Sequence, residues 1–380
     1  MVVVALKMLF GDRAKLLGLV FGVAFATLLV TQQGGLFVGL MTRSQNIIAD
    51  AQEVDIWVMD PSVEHLDLIR PMRDGELFRV RGVPGVAWAV PLFKGATPVK
   101  TPEGRIKSAL LLGVDDATMI GVTQRFIIGS VADLQRPDAI AIDRVGFMQL
   151  WPGAPLEVGK TLELNDRRAV VTAITDAAPA FSAQVIIYAR YSQAVNYLPT
   201  GRNQLSFILA RAAPEIDPAI IARTISDRTG LKAYSADEFA WRTVRYYLRN
   251  TGIPISFATT IMLGIIVGGA IVGLTFNMFV SENLPQYAML KVVGVTNGRI
   301  IGLVLLQAAV VGLIGYAIGI GLAAAFFEIA CTPTSALRGF VLPWWVAIGV
   351  AGAMTPLIVL STIVSLRRVL VVEPAILFWG

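Results

Sequence analysis

The sequence has one cysteine, Cys331, and one histidine, His65. That excludes a disulfide within the chain and leaves too few ligands for a zinc site of the Cys/His kind. Nucleophile–base pairs built on Cys or His have equally little material. No Gly-x-x-x-x-Gly-Lys-Ser/Thr stretch occurs, so the Walker-type phosphate cradle is missing. No basic stripe interleaved with aromatics is present, and a nucleic-acid partner is not implied. Charge is scarce: Asp, Glu, Lys and Arg make up 16% of the 380 residues, against about 25% in soluble proteins.

What is there is apolar. Hydrophobic residues are 55% of the chain. The charges are gathered in one place: 24 of the 32 Lys and Arg, and 23 of the 27 Asp and Glu, lie between Met41 and Asn250. Outside that stretch, residues 16–42, 251–280, 300–327 and 339–366 contain no Asp, Glu, Lys or Arg. A bilayer core of ~30 Å needs roughly 20 apolar residues in helix. The expected class is therefore a membrane α-helical protein with four transmembrane helices. A large α+β extracytoplasmic domain is inserted between helices 1 and 2.

In chain order, residues 1–42 read as a surface helix (Val2–Phe10), transmembrane helix 1 and a stalk. The apolar run after Lys15 is too long for a signal-peptide core, and its bilayer part is placed at Leu16–Val30. Residues 43–250 are the outer domain, long enough for two small domains, with a strand-rich insertion at about 117–202. Within it, Val54–Met59 alternates and ends at Asp60-Pro61, a strand leaving into a turn. Val86–Leu92, Ser108–Val114, Val185–Ala189 and Leu205–Ala210 are further strand candidates. Lys160–Leu164 and Ala169–Ile174 flank Asn-Asp-Arg-Arg as a hairpin. Pro218–Thr229 reads as a helix stopped by Gly230, and Tyr234–Arg249 as a second helix started by Ser235-Ala-Asp-Glu238. Asp115-Asp116 is expected to start a turn or cap a helix. His65, beside Glu64 and Asp67, is expected at the solvated surface, and Cys331 as a small apolar residue near a helix end.

Then follow helix 2 (251–280), a polar loop (281–299), helix 3 (300–327), a link (328–338), helix 4 (339–366) and a tail (367–380). Orientation follows from the basic flanks. Lys7, Arg13 and Lys15, then Lys291 and Arg299, then Arg367 and Arg368 mark one side, while the 328–338 link has only Arg338. This places both termini and the 281–299 loop in the cytoplasm. Small residues at four-residue spacing, Gly18/Gly22, Gly264/Gly268, Gly269/Gly273 and Gly315/Gly319, allow close helix packing or dimerisation. The spans carry almost no ionisable groups, which argues against a channel or proton-coupled carrier.

The loop is the informative stretch. It reads Ser281-Glu-Asn-Leu-Pro-Gln-Tyr-Ala-Met-Leu-Lys-Val-Val-Gly-Val-Thr-Asn-Gly-Arg299. Pro285 suits a first helical turn behind Ser281 or Asn283, Gly294 can close that helix, and Thr296 can cap helix 3. Leu284, Tyr287 and Leu290 then share one face. Two readings stand side by side: a helix resting on lipid headgroups, or an apolar ridge seated in a groove of a cytoplasmic motor.

This loop resembles the signature loop of the FtsX/MacB-type (type VII) ABC transporter permeases, DevC-like chains in particular. The resemblance extends to Lys7–Gly39, to Asp55-Ile-Trp-Val-Met-Asp-Pro61, to Arg79-Val-Arg-Gly-Val-Pro-Gly-Val-Ala-Trp-Ala-Val-Pro91, and to Arg367–Phe378 with its Glu-Pro-Ala. Two positions depart: Gln286 stands where the family often has an acid, and the chain ends Phe378-Trp-Gly380 where DevC-like chains tend to end Phe-Arg-Gly. The resemblance implies a permease dimer in the bacterial inner membrane. It would be driven by a separate cytoplasmic ABC ATPase, which binds the ATP and magnesium. This chain would bind no cofactor or metal and would not itself be an enzyme. Glu282, Leu284, Gln286, Tyr287, Leu290, Lys291 and Gly294 are the expected ATPase-coupling residues. Export from the periplasm or outer leaflet, with a membrane-fusion adaptor and a TolC-like outer-membrane duct, is the implied role. A lipoprotein-releasing or lipid-extracting permease, or a regulator of a cell-wall hydrolase, is the alternative.

Overall fold

An uncharged apolar run satisfies its backbone in lipid only by closing hydrogen bonds along itself, and the four runs are helical over most of their length in the computed structural model of the chain, the last only from Trp344. The structure describes residues 2–181, 185–198, 205–332, 335 and 337–371, with side chains to residue 366. The Glu-Pro-Ala and Phe378-Trp-Gly380 segments of the tail lie outside the described residues, as do 182–184 and 199–202 of the expected insertion.

The order begins with helices α1 (Val2–Gly11), α2 (Arg13–Arg43) and α3 (Asn46–Asp50). Strand β1 (Ile56–Met59), helix α4 (Gly75–Arg81) and strands β2 (Val86–Lys100), β3 (Ile106–Val114) and β4 (Phe126–Ile128) follow. Next come β5 (Ala139–Asp143), α5 (Arg144–Leu150), β6 (Thr161–Leu164), β7 (Arg167–Thr175), β8 (Val185–Arg190) and α6 (Tyr191–Tyr197). Then come β9 (Phe207–Ala212), α7 (Pro218–Thr229), β10 (Lys232–Ser235) and α8 (Ala236–Asn250). The chain ends with α9 (Ile253–Glu282), α10 (Leu284–Val292), α11 (Asn297–Ala330) and α12 (Trp344–Val371). By packing it forms two units: Met1–Val38 with Gly252–Cys331 and Phe340–Gly380, and Gly39–Thr251 with Thr332–Gly339.

In the first unit, α2, α9, α11 and α12 are each long and apolar enough to cross a membrane. The 31 residues of α2 would extend ~46 Å at ~1.5 Å per residue, more than the ~30 Å hydrocarbon layer. The glycines of the small-residue pairs meet neighbouring helices of the same chain. A Cβ on Gly22 would come 2.8 Å from Ile271 Cγ2, and one on Gly18 would meet Thr275 at 3.4 Å, so α2 lies against α9. Gly264 and Gly268 receive Leu29 and Ala26 of α2 in return. On another side of α2, Gly315 sits under the Val20 carbonyl and Gly319 under that of Ala24. Gly269 faces Leu357 of α12. Helix α1 was expected to lie at the membrane surface. Its Ala5 and Leu9 pack into the helix bundle with Leu19, Phe276 and Val304, while Val2, Val3 and Phe10 on the rest of the helix stay exposed.

Among the described residues the second unit is built on one ten-stranded sheet in the order β10-β1-β9-β2-β3-β8-β5-β7-β4, with β6 bridging β2 and β7. The two small domains allowed by length are therefore not separate. The insertion's strands continue the same sheet because β8 adds to β3 in parallel, Ala109 opposite Val185 through Val114 opposite Arg190. Strand β2 also runs past Leu92 to Lys100 and serves both halves, pairing β9 first and β3 after. Helices cover both faces of β1. Ile56 and Val58 pack with Ile221 and Ile225 of α7, while Trp57 and Met59 pack with Phe239 of α8.

Local signals explain several ends. Asn165 and Asp166 both take positive φ, 49° and 60°, as a two-residue type I′ hairpin requires. The Asp217 side chain accepts from Ala219 N at the start of α7, and Gly230 ends it at φ 74°. Tyr234 belongs to β10, and α8 starts one residue after Ser235, whose Oγ accepts from Glu238 N. Asp115 accepts from Thr118 N, and Asp116 from Ser192 N in the first turn of α6. His65 is not at the open surface: it is half-buried and stacks on Tyr246 at 4.0 Å, since an aromatic ring packs better on a ring than in water.

Candidate functional site

Pro285 falls in the first turn of α10, where its missing N–H would have no partner. Asn283 precedes it, but its side chain donates to Phe279 O and closes α9 rather than capping α10. Gly294 leaves the helix at φ 91°, and Thr296 begins α11 through its backbone carbonyl alone.

The ridge expected to enter a partner is turned the other way. Tyr287 is fully buried, and Leu284 and Leu290 pack against the same bundle core. The Tyr287 hydroxyl donates to Gln307 Oε1 at 3.2 Å, and Gln307 Nε2 donates to Ala5 O at 3.0 Å. Burial pushes the Tyr287 hydroxyl above the ordinary tyrosine range. The reason is elementary: the most apolar face of α10 removes more surface from water by closing on its own bundle. Left exposed are Pro285, Gln286, Met289, Val292 and Val293, the last at 82%. Their spacing places most of them on the opposite face of α10. Glu282 pairs with Lys15, which also binds Asp12 at 2.7 Å, so this acid is engaged within the chain. Lys291 is half-buried and Gly294 exposed.

A second constellation went unread in the sequence. The described residues of the link between α11 and α12, 332, 335 and 337–339, pack as part of the second unit. There Arg338, 8% exposed, donates from Nη1 to Oδ2 of the fully buried Asp143 at 2.7 Å. The same carboxylate accepts from Ile186 N at 2.7 Å and Gly146 N at 3.1 Å, the latter in the first turn of α5. Arg43 donates to Arg338 O at 2.5 Å. A Cβ on Gly339 would come 2.9 Å from Pro179, whose carbonyl accepts from Asn46. Burial pushes the Asp143 carboxyl up from the usual aspartate range, and the Arg338 guanidinium and the two amides pull it back. The available signal was that Arg338 is the lone basic residue of its link. Its partner lies 195 residues away, so spacing carried nothing.

The second unit holds another buried charge. Lys94 donates to Leu66 O at 2.8 Å and Asp67 Oδ1 at 2.6 Å, and Tyr247 donates to Asp67 Oδ2 at 2.8 Å. Burial lowers the Lys94 ammonium from its ordinary value, against the pull of Asp67.

Residues 258–374 match the family model described as FtsX-like permease C-terminal. Residues 16–228 match that described as MacB-like periplasmic core domain. The macrolide export ATP-binding/permease protein MacB of Agrobacterium fabrum is 25% identical over 254 residues, which cover 61% of this chain and 38% of that protein. The periplasmic region of MacB from Actinobacillus actinomycetemcomitans is 12% identical, with 55% of this chain and 99% of that one covered at a TM-score of 0.39. The extracellular domain of the transporter YknZ from Gram-positive bacteria is 16% identical, with 48% and 98% covered at a TM-score of 0.36.

Proposed function

The chain belongs to the FtsX/MacB-type ABC transporter permeases, and on that premise we propose that it carries ATP-driven motion across the inner membrane to its outer domain. Two copies and a separate cytoplasmic ATPase, which holds ATP and magnesium, make up the working complex. Both termini and α10 face the cytoplasm. The motion drives export of a substrate taken from the periplasm or the outer leaflet, through an adaptor and an outer-membrane duct.

The observation that supports this reading most is the link between α11 and α12. Both helices belong to the membrane-spanning unit, yet the link packs in the outer unit. A pair at 2.7 Å with one partner fully buried and the other nearly so resists slipping, which is what a force-bearing joint needs. At the other end of α11, the exposed Gln286, Met289 and Val293 form the docking face for the motor, in place of the inward ridge. Anchors that become desolvated in a groove carry most of an interface's energy.

Met289→Asp with Val293→Asp would bury unpaired charge in that groove. Co-expressed with the ATPase, this variant is expected to lose co-purification and stimulated hydrolysis while inserting and melting as the wild type does. Full retention of the ATPase by the doubly substituted chain would refute the docking face. Robust hydrolysis by the pure chain alone would refute the division of labour.

A further inference from the structure

The chain crosses between its two units at 38–39, 251–252, 331–332 and 339–340. Inside the second unit, every crossing leads into or out of one of three segments: the end of α2 with α3, the end of α8, or the link around Arg338. All three meet the connection between β7 and β8, which is described over residues 176–181.

Each meeting is specific. From α3, Asp50 Oδ2 accepts from Ala178 N at 2.7 Å, and Asn46 Nδ2 donates to Pro179 O at 2.8 Å. From α8, the Tyr247 ring packs on Phe181 with centroids 4.4 Å apart. From the link, Gly339 lies so close that a Cβ there would come 2.9 Å from Pro179 Cγ. The start of the segment is pinned as well: Asp176 N donates to Arg125 O at 2.8 Å, and the Arg125 guanidinium donates to Asp50. A connection between strands usually runs over the surface, where water serves its backbone. Here Ala177 and Ala180 are 4% and 3% exposed, in one core cluster with Ile47 and Ile48 of α3 and Phe239 of α8.

We propose that residues 176–181 act as a strap that ties α3, α8 and the link together and passes their displacement to β7 and β8, with Asn46, Asp50 and Phe181 as its positioning residues. β7 and β8 flank the strap in the chain, and they pair with β4, β5 and β6. Motion delivered to the strap therefore reaches the strand-rich part of the sheet. Coupling of this kind rests on the function proposed above. It is read on the chain alone, however, so the strap can fail while the ATPase docking face stands, and the reverse.

A run of contacts is coupling only if disturbing one end changes the other. Hydrogen–deuterium exchange of the full chain in detergent reads this directly. Asn46→Ala removes one anchor on α3. Loss of that hydrogen bond is expected to speed exchange about fivefold at 176–181, at the first residues of β8 and at 337–339, with α7 unchanged. Asn46→Asp, which keeps the shape but not the donor, is expected to give the same pattern. Phe181→Leu, at the α8 end, is expected to speed exchange at 46–50 by a similar factor. Combining Asn46→Ala with Phe181→Leu should give less than the product of the two factors, because a strap already loosened has less to lose. Asn196→Ala is the control: that side chain donates to Ser192 O within α6, and its effect is expected to stay there. Changes confined to the residues beside each substitution would overturn the strap. So would changes spread evenly over the second unit, α7 included, or factors that simply multiply in the double variant.

Discussion

Replacing Arg338 with leucine isolates the joint between the α11–α12 link and the outer domain. The substitution keeps an apolar stem but removes the guanidinium 2.7 Å from Asp143 Oδ2. Asp143 has no exposed side-chain surface, so water cannot replace the lost partner. Removing one member of a buried pair costs ~3–5 kcal/mol. Two backbone amides still donate to the carboxylate, and the group can take up a proton, so the low end, ~3 kcal/mol, is expected. For a unit of this size, a loss of ~1 kcal/mol lowers Tm by ~2–4 °C, giving a drop of ~6–12 °C in the transition of the outer unit. The pH dependence has a definite sign. Burial raises the folded Asp143 pKa above its ordinary 3.8, and loss of Arg338 raises it further. The protonated form is then the better-tolerated one in the fold. The defect should be small below pH 3.8 and grow as pH rises through the raised value. Adding Asp143→Asn should recover part of the loss at neutral pH. The assay is thermal unfolding of the full chain in detergent across pH, with far-ultraviolet circular dichroism following the sheet. An Arg338→Leu chain melting within about 2 °C of wild type at neutral pH would refute a joint of this strength.

Other perturbations test other parts. Gly319→Val places a Cβ about 2.7 Å from the Ala24 carbonyl, and overpacking of this kind costs ~1–3 kcal/mol. Purified yield and melting of the helical bundle should fall, whereas Gly321→Val, with open space around it, should leave both unchanged. Burial lowers the His65 imidazole from its ordinary 6.5, so the unfolded chain takes the proton more readily. Wild-type stability should therefore fall as pH drops below 6.5, and His65→Phe, which keeps the stack on Tyr246, should flatten that slope in chemical denaturation. For topology, single cysteines at Asn165 and Asn297 in a Cys331→Ala background should label from opposite sides of the membrane. Labelling of both from one side would overturn the orientation.

The charge-free runs, the Asn165-Asp166 turn and the ends of α7 were legible because each signal lies within a few residues of its effect. Run length meets bilayer thickness, two adjacent positive φ angles fit Asn-Asp, and Asp217 and Gly230 act within one helical turn of the ends they cap. The family resemblance was legible in the same way, from contiguous stretches. The periodicity of Leu284, Tyr287 and Leu290 correctly marked an apolar face on α10. It could not say what that face meets, because a groove in a partner and a groove in the same bundle ask for the same residues. Only the packing of Tyr287 against Gln307 and Ala5 decided it. The small-residue pairs had the same ambiguity between dimer and bundle, and within the chain they are occupied by residues of α2, α9 and α12. Whether residues 43–250 make one sheet or two depended on β8 finding β3, a backbone pairing that leaves no trace in side-chain type. The Arg338–Asp143 joint is the extreme case. A lone arginine in a link and an aspartate at a helix start are each ordinary in sequence, and only the fold takes both out of water together.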